Sequence, residues 1–526
     1  MDKIYVIGGG ISGLVSACYL KSNGYNVCII EKNDVLGGRL FEFKENGFKF
    51  NNGPSWYWMK DIFETVFQEI GITKDKMYNL IKLDPQYNIV FDDKEQPIPG
   101  NYNEIKKMFS LQDKKFNNFI NRSSMKYNIS TNQFLKYNNL SLTEYINIKS
   151  LKYIFSLNIF ISYRKYSKKI TNNRHLQKLI EWPSLFIGSS PKKVSAMYSL
   201  LSYSMLKDGT YIPENGMIDI INTLEKHCKK LGVDIKLNEA VLDYDIKDNK
   251  IIAIKTTNNI YKNIYSVVSA CDYKFTESLL PNKYKTYPDQ FWNKLELCPS
   301  SLLIHLGINK KIASKDLFHI LFFENDLDNH IESIYNKTSL PEKPLFYLNI
   351  TSTLLDSAPK NCENLFILIP TGPHKNITEK YIEKYFNYVI DRLELYFETK
   401  FRDNIIVKKI FKDQNFSERF NSFGGNAYGL TCHPLQTAFL KPRIKSRYIG
   451  NLYYCGQLTN PGPGLPPCAI SGLNTAKYII KNKNKLNRFN LGESFSLILA
   501  IFLRTFALKT TVKSVLKEFL FIFNRP

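Results

Sequence analysis

Gly8-Gly9-Gly10-Ile11-Ser12-Gly13 follows directly on the apolar run Ile4-Tyr5-Val6-Ile7. Glycines so spaced between a strand and a helix can hold a diphosphate. Gly8 permits the tight turn, Gly10 lets backbone approach the phosphates, and Gly13 lets the helix pack on the strand. The free N–H groups and the positive dipole end of that helix then face the negative charge. Glu31 ends the next apolar stretch, where a carboxylate can accept hydrogen bonds from ribose hydroxyls. A second glycine pair, Gly37-Gly38, precedes Arg39, whose guanidinium offers a two-pronged fork for phosphate. At the far end of the chain, residues 452–455 run into Gly456-Gln457-Leu458-Thr459-Asn460-Pro461-Gly462-Pro463-Gly464. These remote glycine loops, each at the end of an apolar strand pattern, read as two halves of one nucleotide site.

The elements that must position these residues follow from periodicity. Lys3–Ile7 reads as a buried parallel strand, Ile11–Ser22 as a helix closed by Gly24, and residues 26–30 as a second strand. A later unit repeats the pattern: the helix Asp219–Leu231, ended by Gly232, then a short strand at 233–237. The segments 251–256, 266–270 and 452–454 are expected to complete one sheet drawn from distant stretches. Residues 1–90, 205–290 and 420–481 would thus form a discontinuous nucleotide domain. The insertions 91–204 and 291–419, rich in Tyr, Phe, Ile and Lys, would form a substrate- and membrane-facing domain, and 482–526 a polar linker and tail. The expected class is α/β, Rossmann-like, with an inserted domain of mixed sheet and helices.

NAD, NADP and FAD are separated by Glu31-Lys32-Asn33-Asp34-Val35-Leu36-Gly37-Gly38-Arg39, which resembles the FAD signature of the amine-oxidase-like flavoprotein superfamily. Further stretches resemble one branch of it, the bacterial-type phytoene desaturases and their carotenoid desaturase and isomerase relatives. They are residues 48–59 ending in Gly53-Pro54-Ser55-Trp56-Tyr57-Trp58-Met59, Tyr211-Ile212-Pro213-Glu214-Asn215-Gly216-Met217, Gly425-Asn426-Ala427-Tyr428-Gly429-Leu430, Gln436-Thr437-Ala438-Phe439-Leu440-Lys441-Pro442, and Asn451-Leu452-Tyr453-Tyr454 leading into Gly456. The resemblance implies FAD held by Gly8, Gly10, Ser12, Gly13, Glu31, Lys32, Gly38, Arg39 and Gly456, with Gly53, Pro54 and Ser55 beside the flavin ring. It places the Val241 backbone against the adenine half. It also starts a helix at Pro466, running through Ile470, toward the flavin pyrimidine edge, where a helix N-terminus stabilises the negative charge of the reduced ring. Trp56, Tyr57 and Trp58 are expected walls near the ring. The activity implied is FAD-dependent removal of hydrogen from a saturated carbon–carbon bond of a C40 or C30 polyene. No catalytic base is assigned. The chain departs from the family pattern at Gln457, where many flavoproteins carry an acid, at Lys60, where a proline is common, and at Glu214-Asn215.

Composition adds constraints. The 526 residues suit a large multidomain enzyme, and a formal charge of +23 favours anionic surfaces, although the abundance of Lys, Asn, Ile and Tyr together also fits an AT-rich coding bias. No nucleic-acid motif accompanies the charge, so no nucleic-acid partner is expected. Nine scattered cysteines without a Cys-x-x-Cys pair exclude a disulfide framework or zinc site, and no metal is expected. Seven dispersed histidines read as structural or surface residues. The sequence shows no leader peptide and no apolar run long enough to span a bilayer. Residues 152–165 and the tail, with Lys509, Lys513 and Lys517 opposite Val512, Leu516, Phe519 and Leu520, instead suit helices lying on a membrane or packing on protein. The expectation is a peripheral enzyme on the cytoplasmic side with a hydrophobic polyene substrate and oxygen or a quinone as acceptor. The oligomeric state is left open. A carotenoid isomerase, an amine or porphyrinogen oxidase, and a non-enzymatic prenyl-lipid escort are the rivals on this scaffold.

Overall fold

The computed structural model describes the chain except residues 1–2, 110–113, 134, 136–139, 141–155, 324–326, 336–340, 374–376, 433–435 and 483–526. The basic tail and residues 152–155 therefore lie outside the described residues. Near the N-terminus, β1 (Lys3–Ile7), α1 (Ile11–Ser22) and β2 (Val27–Ile30) form the first crossover. Much later come α2 (Asp219–Leu231), β3 (Asp234–Lys236), β4 (Ile264–Ser269), β5 (Leu452–Tyr454) and α3 (Leu465–Lys481). The five strands make one parallel sheet in the order β5-β4-β1-β2-β3. β2 and β5 are buried throughout and β1 at four of its five residues, as expected for strands covered by helices on both faces. β1 is therefore the central strand, and its carboxyl end opens onto the β1–α1 turn where doubly wound sheets bind ligands.

One expected strand of this sheet goes elsewhere. Residues 251–256 lie in Lys250–Thr256, which pairs antiparallel with Val241–Lys247 and Ile260–Tyr261 in a separate three-stranded sheet. The cause is local: Asp248 and Asn249 both take positive φ, 50° and 56°, and make a tight hairpin with the preceding strand.

The second large sheet has seven strands, in the order Ile405–Phe411, Ser300–Ile308, Glu363–Thr371, Phe346–Asn349, His319–Phe322, Tyr87–Val90 and Glu95–Ile98. All its pairs are antiparallel except His319–Phe322 with Tyr87–Val90. Tyr87–Val90 thus enters this sheet ahead of the expected boundary at 91. One face of the sheet is covered by the helix Glu379–Tyr396 through Ile382, Val389, Ile390 and Leu393. The other, bearing Leu303, Leu321, Tyr347 and Phe366, turns toward the helical insertion and walls the cavity described below.

β5 is tied to the body by a buried carboxylate. Glu277 accepts a hydrogen bond from Tyr454 Oη at 2.6 Å and from the Tyr287 N–H at 3.0 Å. Burial pushes its carboxyl up from an ordinary 4.5 to about 7 against the pull of those bonds. Because the folded value exceeds the unfolded one, the contribution to stability is fully present below about pH 4.5 and is lost as pH rises through about 7, a change of ~3 kcal/mol. Glu277→Gln is expected to flatten the fall in thermal unfolding midpoint between about pH 5 and about pH 8, measured by calorimetry; an unchanged pH slope would remove Glu277 as its source.

Candidate active site

A cavity of about 1660 Å³ begins at the carboxyl end of the parallel sheet and runs between the two sheets. Gly8, Gly10 and Ser12 line it from the β1–α1 turn. α1 opens at Gly10 with no side-chain cap and no acidic residue in its first turn, so its N–H groups remain available to an anion. Gly13 does not line the cavity; its role is packing. A Cβ there would sit 2.1 Å from Gly8 O and 3.2 Å from Ala270 Cβ, so only glycine lets α1 reach β1 and β4. Glu31, 5% exposed and on the cavity wall, accepts from the Gly9 N–H at 2.7 Å through Oε2, and from the Asn33 N–H and amide at 2.9 and 2.7 Å through Oε1. Its carboxylate is thereby fixed at the end of β2. Lys32, also lining, donates instead to Glu418 O and Asn421 Oδ1.

Two guanidinium groups stand beside this turn. Arg39 donates from Nη2 to Ser422 Oγ at 2.9 Å and lies 5.4 Å over the Phe420 ring. Arg419 lies 4.2 Å over Phe41 and reaches Asp34 at 3.4 Å. Both line the cavity, and the Nε of each is buried with no hydrogen-bond partner among the described residues. Two orphaned cationic donors next to an uncapped helix N-terminus fit the dianionic diphosphate of a dinucleotide. Arg419 was not singled out from the sequence. It sits in Asp-Gln-Asn-Phe-Ser-Glu-Arg-Phe, a helix whose charges read as solvated, and only the tertiary fold brings it to the cavity that Arg39 lines.

The far end of the chain completes the enclosure. Val241, Gly456, Pro466 and Ile470 line the cavity. Gly456 N–H donates to Ser471 Oγ at 3.0 Å, and Thr459 Oγ1 joins Gly456 O and Ser471 Oγ at 2.8 Å each, which ties the loop after β5 to α3. α3 packs on α1, and at their closest approach a Cβ on Gly472 would lie 2.1 Å from Ser12 O. The two glycine loops of the sequence are thus walls of one site.

Gly38, Gly53, Pro54 and Ser55 continue the wall into the space between the sheets. Trp56 and Trp58 line it, but Tyr57 does not, contrary to the sequence expectation. In the extended Trp56-Tyr57-Trp58 run alternate side chains face opposite ways. Tyr57 therefore stacks on Phe63 at 4.7 Å and bonds Tyr78 Oη at 3.0 Å in the core of the nucleotide domain. Ser55 Oγ meets Tyr347 Oη at 2.8 Å, and Tyr347 Oη donates to His319 Nδ1 at 2.7 Å. The Asn349 amide also points at Nδ1, at 3.3 Å, which assigns the ring proton to Nε2. Burial lowers the His319 value to about 3, so the imidazole is neutral, and it stacks on Trp56 at 4.2 Å and 14°. His330 lines the cavity but is bonded through both nitrogens, to the Leu345 N–H and Pro370 O. The remaining walls are mostly apolar, including Leu157, Leu185, Met197, Leu303, Phe323 and Ile331. At the rim stand Phe160, 60% exposed, Lys165, Lys192 and Lys193. No cluster of metal-ligating side chains occurs among the described residues.

The sequence matches the family described as flavin containing amine oxidoreductase over residues 11–480. It is 30% identical over 493 residues to a carotenoid 3,4-desaturase of Haloarcula japonica, covering 91% of this chain and 98% of that protein. It is 28% identical over 499 residues to a 4,4'-diapophytoene desaturase (4,4'-diaponeurosporene-forming) of Staphylococcus aureus, covering 91% and 99%. Among solved structures, putrescine oxidase superposes with a TM-score of 0.57 at 12% identity, over 91% of this chain and 99% of that one, a likeness of fold alone. The diphosphate cradle, the ribose carboxylate and the full-length match agree on FAD as the cofactor. The chain belongs to the flavin-containing amine oxidoreductase family.

Proposed function

We propose that this enzyme is a carotenoid desaturase, introducing double bonds into a C40 or C30 polyene precursor of the phytoene type. The observation that carries the reading is the continuation of the cofactor cavity into a largely apolar channel between the two sheets, in a chain whose full-length relatives are named as a carotenoid 3,4-desaturase and a 4,4'-diapophytoene desaturase. FAD, when bound, supplies the two-electron acceptor. The protein supplies placement. Apolar walls select a hydrocarbon and exclude water, and the Trp56–His319 stack with the Ser55–Tyr347–His319 bonds holds the channel's polar spot rigid beside Gly53 and Pro54. Expression in bacteria that accumulate phytoene or its C30 counterpart, with pigments resolved by chromatography and mass, tests the reading. Products lighter by pairs of hydrogens support it; an isomer of unchanged mass assigns isomerisation instead, and untouched precursor beside soluble yellow protein rejects both.

A precursor this apolar resides in a bilayer, so the channel rim is proposed as a membrane-docking surface on the cytoplasmic side, with oxygen or a membrane quinone as acceptor. Exposed Phe160 among Lys165, Lys192 and Lys193 supports this reading, because an apolar tip ringed by cations suits anionic lipid. No helix among the described residues is long and apolar enough to cross a membrane. Burying one phenylalanine in lipid contributes about 2 kcal/mol, so Phe160→Asp is expected to weaken co-sedimentation with anionic vesicles by roughly tenfold or more. Unaltered binding would move the docking surface away from the rim.

A further inference from the structure

Lys441 is 2% exposed, and its Nζ has no hydrogen-bond partner among the described residues. An ammonium buried without a counter-ion is strongly disfavoured, so a site that keeps one implies an anion which no described residue supplies. Its position says where that anion lies. The side chain rests against Gly462, where a Cβ would sit 3.0 Å from Nζ and 3.2 Å from Cε. Gly462 belongs to the loop between β5 and α3, whose neighbouring residues Pro461, Pro463 and Gly464 line the cavity. The Cys468 thiol, one turn into α3 and also lining, donates toward Gly462 O at 3.8 Å. α3 adds positive potential at the same place: it opens at Gly464 without a side-chain cap and has no acidic residue in its first turn. A buried cation and a 17-residue helix thus converge behind one loop of the cofactor wall, with no hydrogen-bond partner for the cation and no helix cap among the described residues.

We infer that Lys441 is the counter-charge for the negative charge that FAD acquires at its pyrimidine edge on reduction, and that it sets the reduction potential of the bound cofactor from behind Gly462. The inference rests on the FAD assignment and on the ring edge facing α3. Lys441 touches no substrate; it acts through its field in a site with little water to screen it. Only the charged form does this, so Arg keeps the effect where Met or Gln does not.

The experiment uses the full-length holoenzyme and reads the equilibrium with a two-electron redox dye during slow anaerobic reduction. Lys441→Met is expected to shift that equilibrium at least tenfold toward oxidised flavin, about 30 mV for a two-electron couple. Lys441→Arg should stay within about threefold of the parent, or about 15 mV. Sulfite, which adds to oxidised flavin to give an anionic adduct, should bind at least about tenfold more weakly to Lys441→Met, following the same loss of counter-charge. Lys441→Gln is read in the same way should the Met protein not accumulate. A yellow Lys441→Met or Lys441→Gln protein with the parent's dye equilibrium and sulfite affinity overturns the inference. A parent protein that carries no flavin and takes up none overturns the cofactor assignment instead, which keeps the two failures distinct.

Discussion

Gly472→Val is expected to purify without flavin. The helix α3 meets α1 at this residue, and a side chain there points into backbone: the Cβ alone would lie 2.1 Å from Ser12 O and 2.9 Å from Ser12 C. Neither atom can rotate away, because both belong to the first turn of α1. Overpacking a core costs about 1–3 kcal/mol where side chains can adjust, and a backbone collision lies at or above that range. The cheapest relief is for α3 to back away, carrying Pro466, Cys468 and Ile470 with it, and these residues are one wall of the cofactor cavity. The loss therefore falls on the site more than on the two separate sheets. FAD affinity, measured by fluorescence titration of apoprotein, is expected to fall by about a hundredfold for valine, if ~3 kcal/mol of the collision is expressed as a moved wall. Alanine should lie between valine and the parent. Full flavin retention in Gly472→Val would mean that the two ends of the chain need not touch for the site to form.

That contact shows which parts of the molecule the sequence discloses. The diphosphate turn is legible because its chemistry needs glycines at fixed short spacing, and short spacing survives without a structure. Glu31 is legible for the same reason, since the strand that carries it follows directly on the motif. Arg419 is not: Ser417 and Glu418 beside it are solvent-facing, and its partners Phe41 and Asp34 come from the other end of the chain. The Ser55–Tyr347–His319 chain is hidden in the same way, each member ordinary by itself. The misassigned segment 251–256 was readable in principle. Asp248-Asn249 between two alternating runs marks a hairpin, and a hairpin cannot continue a parallel sheet. Tyr57 was an error of direction, because an extended run sends every second side chain to the other face. The seven-stranded sheet is assembled from strands separated by helical insertions, so its order rests on long-range packing that periodicity does not encode.

Removing either guanidinium should weaken FAD binding to a similar degree, although the two arginines come from opposite ends of the chain. Each presents a buried Nε with no hydrogen-bond partner among the described residues and a flat face already held by an aromatic ring, Phe420 for Arg39 and Phe41 for Arg419. Such preorganised forks lose little side-chain freedom on meeting phosphate, so most of the charge-assisted bond is available for binding. A hydrogen bond to a charged group contributes about 1.5–3 kcal/mol, and Arg39→Ala or Arg419→Ala is therefore expected to raise the Kd for FAD by roughly ten- to a hundredfold. Lysine should restore the charge without the fork and recover only part of the loss. Ser422→Ala, which removes the oxygen that receives Arg39 Nη2 but leaves both guanidinium groups in place, should cost less than either alanine substitution. The diphosphate can be separated from the ring by competition. ADP, which carries the diphosphate and adenosine without the flavin, should displace FAD from the parent protein and lose that ability in both arginine variants. If ADP competes equally well with all three proteins, the two guanidinium groups face something other than the diphosphate, and the orientation of the cofactor along the cavity has to be reversed.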